Sequence, residues 1–180
     1  AGIGGSIVLL TQVAGANPGV LADNVGAFPG GISIPLVADS FSAIMLLTTA
    51  VVSLAAMWFA DIVGETRARF FPALALMLLG GAWGALLTAD LFNLFVFIEV
   101  MLMPSFGLIA MTGTWARLSS ARMFIIVNLM TSLVLVTGVS LTYGVVGTTN
   151  LAALAGSAGP RGGIEFAEGV TGSQWQLVVA

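Results

Sequence analysis

Three residue types that carry much of protein chemistry are missing from these 180 residues: cysteine, histidine and lysine. Without cysteine, disulfide bonds, thiolate catalysis and cysteine-ligated metal or iron–sulfur sites are excluded. Without histidine, a metal site would need clustered carboxylates, and the eight acidic residues are scattered along the chain. Arginine is the only basic side chain, so no basic patch is available for nucleic acid. We therefore expect no metal site, no cofactor and no nucleic-acid partner.

Charge of either sign is also scarce. Only 7% of the residues are charged, 58% are hydrophobic, and the mean hydropathy is +1.09. A soluble domain carries roughly a quarter charged residues, so this composition argues against an aqueous globular fold. The long apolar runs instead predict an all-α, polytopic membrane protein in contact with the lipid bilayer.

The apolar runs divide the chain into four complete transmembrane helices and a partial helix at each end. The first run is too short to cross a hydrocarbon core of about 30 Å, and the last begins only at the end of the sequence. We interpret the whole as a fragment of one transmembrane domain in a larger membrane protein. The predicted helices cover residues 1–14 (partial), 39–60, 70–88, 91–112, 123–143 and 174–180 (partial).

The connectors carry clear turn and capping signals. Asn17-Pro18-Gly19 and Phe28-Pro29-Gly30-Gly31 predict turns, and the alternation in 32–37 predicts an extended or hairpin element. Asp39 is a good N-cap for the first complete helix, and Thr148-Thr149-Asn150 can cap a short helix that continues through Leu154-Ala155. Within the second complete helix, the pairs Gly80/Gly84 and Gly81/Ala85 permit close approach of a neighbouring helix.

The distribution of arginine orients the chain. Loops 61–69 and 113–122 hold four of the five arginines and lie two crossings apart, on one side of the membrane. The positive-inside rule predicts that this side is cytoplasmic. Connectors 15–38, 88–90 and 144–173 then face outward, and the protein is a multi-pass protein of the plasma membrane.

The predicted helix 91–112 contains one ionisable residue, Glu99. It lies nine residues after Asp90, which is about 13–14 Å along a helix and close to the bilayer midplane. A carboxylate at that depth is costly, so it indicates a functional site. Its own helix face offers no cation, and a desolvated carboxylate tends to take up a proton, as a proton relay requires. The alternative is a structural hydrogen bond between helices.

Three further residues support this candidate site. Pro104 cannot donate to the carbonyl of Val100, which leaves a break in the helix that water can enter. Asn128 on the next predicted helix could bond to Glu99 or could only hold two helices together. Asp90 lies at the helix N-terminus on the face opposite Glu99, so capping is its expected role.

The stretch from Leu86 to Val100, with its Asp-Leu-Phe-Asn-Leu-Phe-Val-Phe-x-Glu motif, resembles the D-type subunits of the Mrp (Mnh) cation/proton antiporters. Those subunits are related to the proton-pumping membrane subunits of complex I and of membrane-bound hydrogenases. The resemblance extends to the Asp-x-Phe-Ser helix start within 32–41 and to Gly147-Thr148-Thr149-Asn150-Leu151-Ala152. It implies a fold of about fourteen transmembrane helices with two inverted five-helix units, and it identifies Glu99 with an essential glutamate of the fifth helix. The usual partner of that glutamate, a lysine on the seventh helix, would fall beyond this chain.

Three functions follow as hypotheses. The first is the ion-translocating subunit of a multisubunit monovalent cation (Na⁺)/proton antiporter, in which Glu99 transfers the proton. The second is a proton-pumping membrane subunit of an NADH-quinone oxidoreductase or hydrogenase-like complex. The third is a membrane scaffold in which Glu99 only bonds to a neighbour.

Overall fold

The computed structural model describes residues 2–16, 19–25, 34–111 and 113–157. Helices account for most of these residues, and one two-stranded antiparallel hairpin precedes the long helices. The elements are α1 (Gly2–Gly15), β1 (Leu21–Asn24), β2 (Pro35–Ala38), α2 (Ser40–Val63), a 3-10 turn (Glu65–Arg67), α3 (Phe71–Leu87), α4 (Leu91–Ala110), α5 (Trp115–Val146) and α6 (Leu151–Ser157).

Three helices in the described part of the chain are long and apolar enough to cross a membrane: α2, α4 and α5. They confirm the prediction of a helical, multi-pass membrane protein. The helix α3 is apolar as well, but its 17 residues are about 25 Å long, shorter than the other three. The extended element expected around 32–37 is β2, and its partner in the hairpin is β1.

The helix α2 begins at its predicted cap and runs past its predicted end. The Asp39 carboxylate accepts a hydrogen bond from the Ser42 backbone nitrogen at 2.7 Å. That amide, together with the Ser42 hydroxyl, holds the pKa of Asp39 below its usual value. The helix ends at Gly64, whose φ of 86° is the left-handed conformation that glycine adopts without strain. Asp61, predicted to start a loop, therefore lies in the last turn of α2.

The largest error in the predicted helix boundaries is at the start of α5. The sequence predicts a charged loop over 113–122 and a helix from 123, but α5 already begins at Trp115. The Thr114 side chain caps it by accepting from the backbone nitrogen of Arg117 at 3.4 Å. Arginine is a good helix former, so its charge does not end a helix that leaves the apolar region. The 32 residues of α5 are about 48 Å long and exceed the thickness of a hydrocarbon core.

The helices α3 and α4 pack side by side in antiparallel directions, and glycines make this possible. A methyl group on Gly81 would lie 2.8 Å from the backbone nitrogen of Met101. One on Gly84 would overlap the ring of Phe97, and one on Gly107 would lie 2.9 Å from Leu74. The prediction of close approach is therefore confirmed for Gly81 and Gly84. A methyl group on Gly80 would meet nothing within 4 Å among the described residues.

Contacts at the two ends of the helices agree with the predicted sidedness. At one end, Leu36 of β2 bridges to Thr88, and Asp90 bridges to Asn150, so the three connectors predicted to share a side do meet. At the other end, the Arg117 guanidinium lies 3.8 Å from the Glu65 carboxylate. Such an exposed ion pair contributes little stability. It does bring the two arginine-rich regions together, as the topology requires.

Several predictions fall on residues outside the described ranges. These are the turns at 17–18 and 28–31, the last residue of the predicted helix 91–112, the connector beyond 157 and the partial helix 174–180. The short helix after Asn150 is described and is confirmed as α6: the Asn150 side chain accepts from the backbone nitrogens of Ala152 at 3.0 Å and Ala153 at 3.1 Å.

Candidate proton-transfer site

Glu99 lies near the middle of α4, at the ninth of its 20 residues, and its side chain is half-buried. It faces α5, where the Ser132 hydroxyl donates a short hydrogen bond to Glu99 Oε1. Ser132 itself is buried, with 9% of its surface exposed. The carboxylate therefore has a defined polar partner on another helix, and that partner is neutral.

The packing of α4 against α5 fixes this pair. About two turns from it, the rings of Phe106 and Phe124 make an edge-on contact with centroids 5.3 Å apart. The pairs Glu99/Ser132 and Phe106/Phe124 correspond to antiparallel helices in one register. Because Phe106 lies two turns after Glu99 on nearly the same face of α4, both residues project toward α5.

Pro104 lies inside α4, as the sequence predicts, and its side chain is less than 2% exposed. Having no amide hydrogen, it cannot donate to the carbonyl of Val100. The next residue, Ser105, donates its hydroxyl to the Met101 carbonyl at 2.9 Å. Gly81 of α3 lies against the backbone at Met101, so the interrupted turn of α4 packs directly against the neighbouring helix.

Asn128 does not make the hydrogen bond to Glu99 that the sequence left open as one of its two possible roles. Its side-chain nitrogen donates to the Phe124 carbonyl of its own helix at 2.8 Å. The bond to Glu99 comes from Ser132, one turn further along α5. Sequence reasoning missed Ser132 because hydroxyls in membrane helices usually bond to their own backbone. Its spacing of one turn from Asn128 places the two residues on one face of the helix, but this spacing does not show whether the hydroxyl bonds to its own helix or to α4.

Asp90 belongs to a separate polar cluster at the start of α4. Its carboxylate caps the helix by accepting from the Asn93 backbone nitrogen at 2.8 Å, as predicted. It also accepts from the Thr149 hydroxyl at 2.6 Å. The buried Asn93 side chain donates to the Thr88 hydroxyl at 2.9 Å. Asp90 therefore ties α4 to the connector before α6, about 13–14 Å along the helix from Glu99.

No charged group faces Glu99 from the described helices packed on either side of α4. The helix α3 contains no ionisable residue. The ionisable residues of α5 are Arg117, Arg122 and Tyr143, which lie about 15 Å or more along its axis from Ser132. In the described ranges, no three acidic side chains come together as metal ligands. Among the described helices, Glu99 therefore has a neutral hydrogen-bond partner and no ion-pair partner.

Comparison with known proteins shows to which sequence family these helices belong. Residues 88–178, half of the chain, match the sequence family described as NADH:quinone oxidoreductase/Mrp antiporter, TM. The chain belongs to this family. The matched region begins at the turn before α4 and contains the whole Glu99–Ser132 pair, so the candidate site lies in the part that the family shares.

Individual members of the antiporter branch cover more of the chain. It is 40% identical over 153 residues to the D-type subunit of a probable K⁺/H⁺ antiporter of Rhizobium meliloti (strain 1021), covering 83% of this chain and 28% of that protein. It is 36% identical over 143 residues to the D-type subunit of a Na⁺/H⁺ antiporter of Alkalihalophilus pseudofirmus, covering 78% of this chain and 29% of that protein.

The fold is also similar to that of a protein of known structure. One chain in the structure of the Mrp complex from Dietzia sp. DQ12-45-1b is similar with a TM-score of 0.81 and 41% identity. The similarity covers 87% of this chain and 30% of that one. The chain thus spans less than a third of the length of the relatives it matches.

Proposed function

We propose that this chain is part of the ion-translocating subunit of a multisubunit monovalent cation/proton antiporter, and that Glu99 carries the proton. The observation that supports this most directly is a half-buried carboxyl group in the middle of a membrane helix whose only described partner is a neutral hydroxyl. The relatives named as antiporter subunits cover that helix and its neighbours. Other subunits of a membrane complex are the expected partners.

The proposed proton step needs three properties that these residues can supply. Glu99 takes up a proton from one side and releases it to the other, so it must exist in both protonation states. Ser132 holds the carboxylate in one orientation. Pro104 leaves the Val100 carbonyl without its usual helical donor, and such a group at membrane depth requires water or a polar neighbour. Water at that carbonyl would lie one residue from Glu99 and could relay its proton.

We further propose that α3 is a fourth complete span, beside α2, α4 and α5. Its contacts with α4 extend from Leu74 opposite Gly107 to Gly84 opposite Phe97, along most of its length. A helix of about 25 Å can cross a bilayer that thins locally or in which neighbouring helices cover its ends. The two arginine-rich regions, 61–69 and the start of α5, would then lie together in the cytoplasm.

This orientation predicts the outcome of a labelling experiment. The 180 residues contain no cysteine, so single cysteines can be placed in the full-length subunit after removal of any others. Glu65→Cys should react with a membrane-impermeant maleimide only in everted vesicles. Asp23→Cys, in the exposed part of β1, should react only in right-side-out vesicles. Reaction of both from the same side would contradict the proposed topology, and exchange of the two results would invert it.

The cation and the energy source can be tested together with the complete complex in proteoliposomes. We expect Na⁺ or K⁺ added to one side to drive protons across the membrane with no electron donor present, as a pH-sensitive dye would report. The family also includes NADH:quinone oxidoreductase subunits, which makes a redox-driven proton pump the second candidate. Proton movement that requires an electron donor and ignores both cations would establish that candidate and exclude antiport.

A further inference from the structure

Many hydroxyl side chains inside these helices follow a common pattern, in which the hydroxyl donates to the carbonyl four residues earlier in its own helix. Examples are Thr48 in α2 at 2.9 Å, Ser105 in α4 at 2.9 Å, and Thr131 and Ser140 in α5 at 3.0 and 2.8 Å. This bond satisfies a hydroxyl where no water is available. Ser132 departs from the pattern, because its hydroxyl donates across to Glu99.

The helix nevertheless offers Ser132 the same local acceptor. By the geometry that Thr131 and Ser140 use, the carbonyl four residues before Ser132 is that of Asn128. Rotation about the single bond between Cα and Cβ moves the hydroxyl from one acceptor to the other without moving the backbone. Ser132 therefore has two acceptors in reach, the Glu99 carboxylate on α4 and the Asn128 carbonyl on α5.

We propose that Ser132 is a positioning residue whose hydroxyl changes partner with the protonation state of Glu99. When Glu99 is charged, Ser132 donates to its carboxylate. When Glu99 binds a proton, its negative charge is lost, and the Ser132 hydroxyl turns away to donate to the Asn128 carbonyl. The covalent O–H bond of Ser132 stays intact, and the only proton gained or lost is that of Glu99. This inference rests on the proposed function of Glu99.

Within the described part of the chain, no charged group competes with the Ser132 hydroxyl at Glu99. The helix α3 brings no ionisable group to it, and α4 itself contains no other. On α5, Arg122 and Tyr143 lie about 15 Å and 16 Å along the axis from Ser132, and Arg117 is paired with Glu65. Among the described residues, Ser132 is thus the group whose hydrogen bond distinguishes the charged from the neutral carboxyl group.

The test is the pH dependence of antiport by the complete complex carrying Ser132→Ala. A donor to the carboxylate favours the charged form, so its loss makes protonation easier. We expect the acidic limb of the rate profile to move toward higher pH by about one unit, the size of one charge-assisted hydrogen bond. Ser132→Thr keeps a hydroxyl and should restore the wild-type profile. Thr131→Ala removes an exposed hydroxyl that bonds only to its own helix, and it should leave the profile unchanged.

A Ser132→Ala profile that superimposes on the wild-type profile would overturn the proposal. If Ser132→Ala fails to accumulate in the membrane, Ser132→Cys decides, because it keeps the shape of the side chain but offers only a weak S–H donor. The same shift then supports the proposal, and an unchanged profile refutes it. Failure of the proposed function is a separate result, since it would appear as antiport that persists without the Glu99 carboxyl group.

Discussion

Replacing Glu99 with Gln should reduce cation-driven proton movement by the complete complex about a hundredfold or more, which is the range for loss of a group that transfers a proton. Gln has nearly the same shape and can still accept the hydrogen bond from Ser132, so the contact between α4 and α5 should survive. It cannot bind and release a proton near neutral pH. The measurement is the initial rate of proton movement in vesicles after addition of Na⁺ or K⁺, normalised to the amount of complex in the membrane.

Two matched variants separate the loss of the proton carrier from a general effect of lost negative charge. Asp90→Asn removes the carboxylate that caps this helix, but the amide can still cap α4 through its oxygen, so a much smaller loss is expected. Glu65→Gln breaks an exposed ion pair and should leave the rate close to wild type. Wild-type flux in Glu99→Gln would instead support the scaffold hypothesis, in which Glu99 only bonds to its neighbour.

The residues of the candidate site differ in how far the sequence could predict them. Glu99 and Pro104 stand out because a charge and a proline are rare in an apolar stretch, and a capping role for Asp90 follows from its place before a long apolar run. These are local properties of the chain. Ser132 could not be predicted, because whether a hydroxyl bonds to its own helix or to another depends on the register between α4 and α5. Side-chain packing such as Phe106 against Phe124 sets that register, and no local pattern encodes it.

The helix boundaries show the same division. The start of α2 at Asp39 and of α6 after Asn150 were predictable, since capping depends on residues next to each other. The start of α5 was not, because hydropathy marks where a helix leaves the apolar layer and not where it ends. Arg117 and Arg122 are charged and helical at once. The pairing of Arg117 with Glu65 agrees with the prediction that the two arginine-rich regions share one side, although the second region is a helix rather than the predicted loop.

A single methyl group added between α3 and α4 should destabilise the protein. In Gly81→Ala, the new Cβ would lie 2.8 Å from the backbone nitrogen of Met101, and a backbone atom cannot move aside as the end of a side chain can. Such overpacking costs about 1–3 kcal/mol. We expect a lower unfolding temperature of the purified complex and less of the protein in the membrane.

The adjacent glycine provides a control with the opposite expected sign. A methyl group on Gly80 meets nothing within 4 Å among the described residues, and alanine favours a helix over glycine by about 1 kcal/mol. Gly80→Ala should therefore be neutral or stabilising, while Gly81→Ala destabilises. Equal stability of the two variants would mean that α3 and α4 do not pack in this register.

Because Met101 is only two residues from Glu99, any displacement of α4 in Gly81→Ala should also move the carboxyl group relative to Ser132. The antiport rate per assembled complex should then fall further than the loss of protein alone explains.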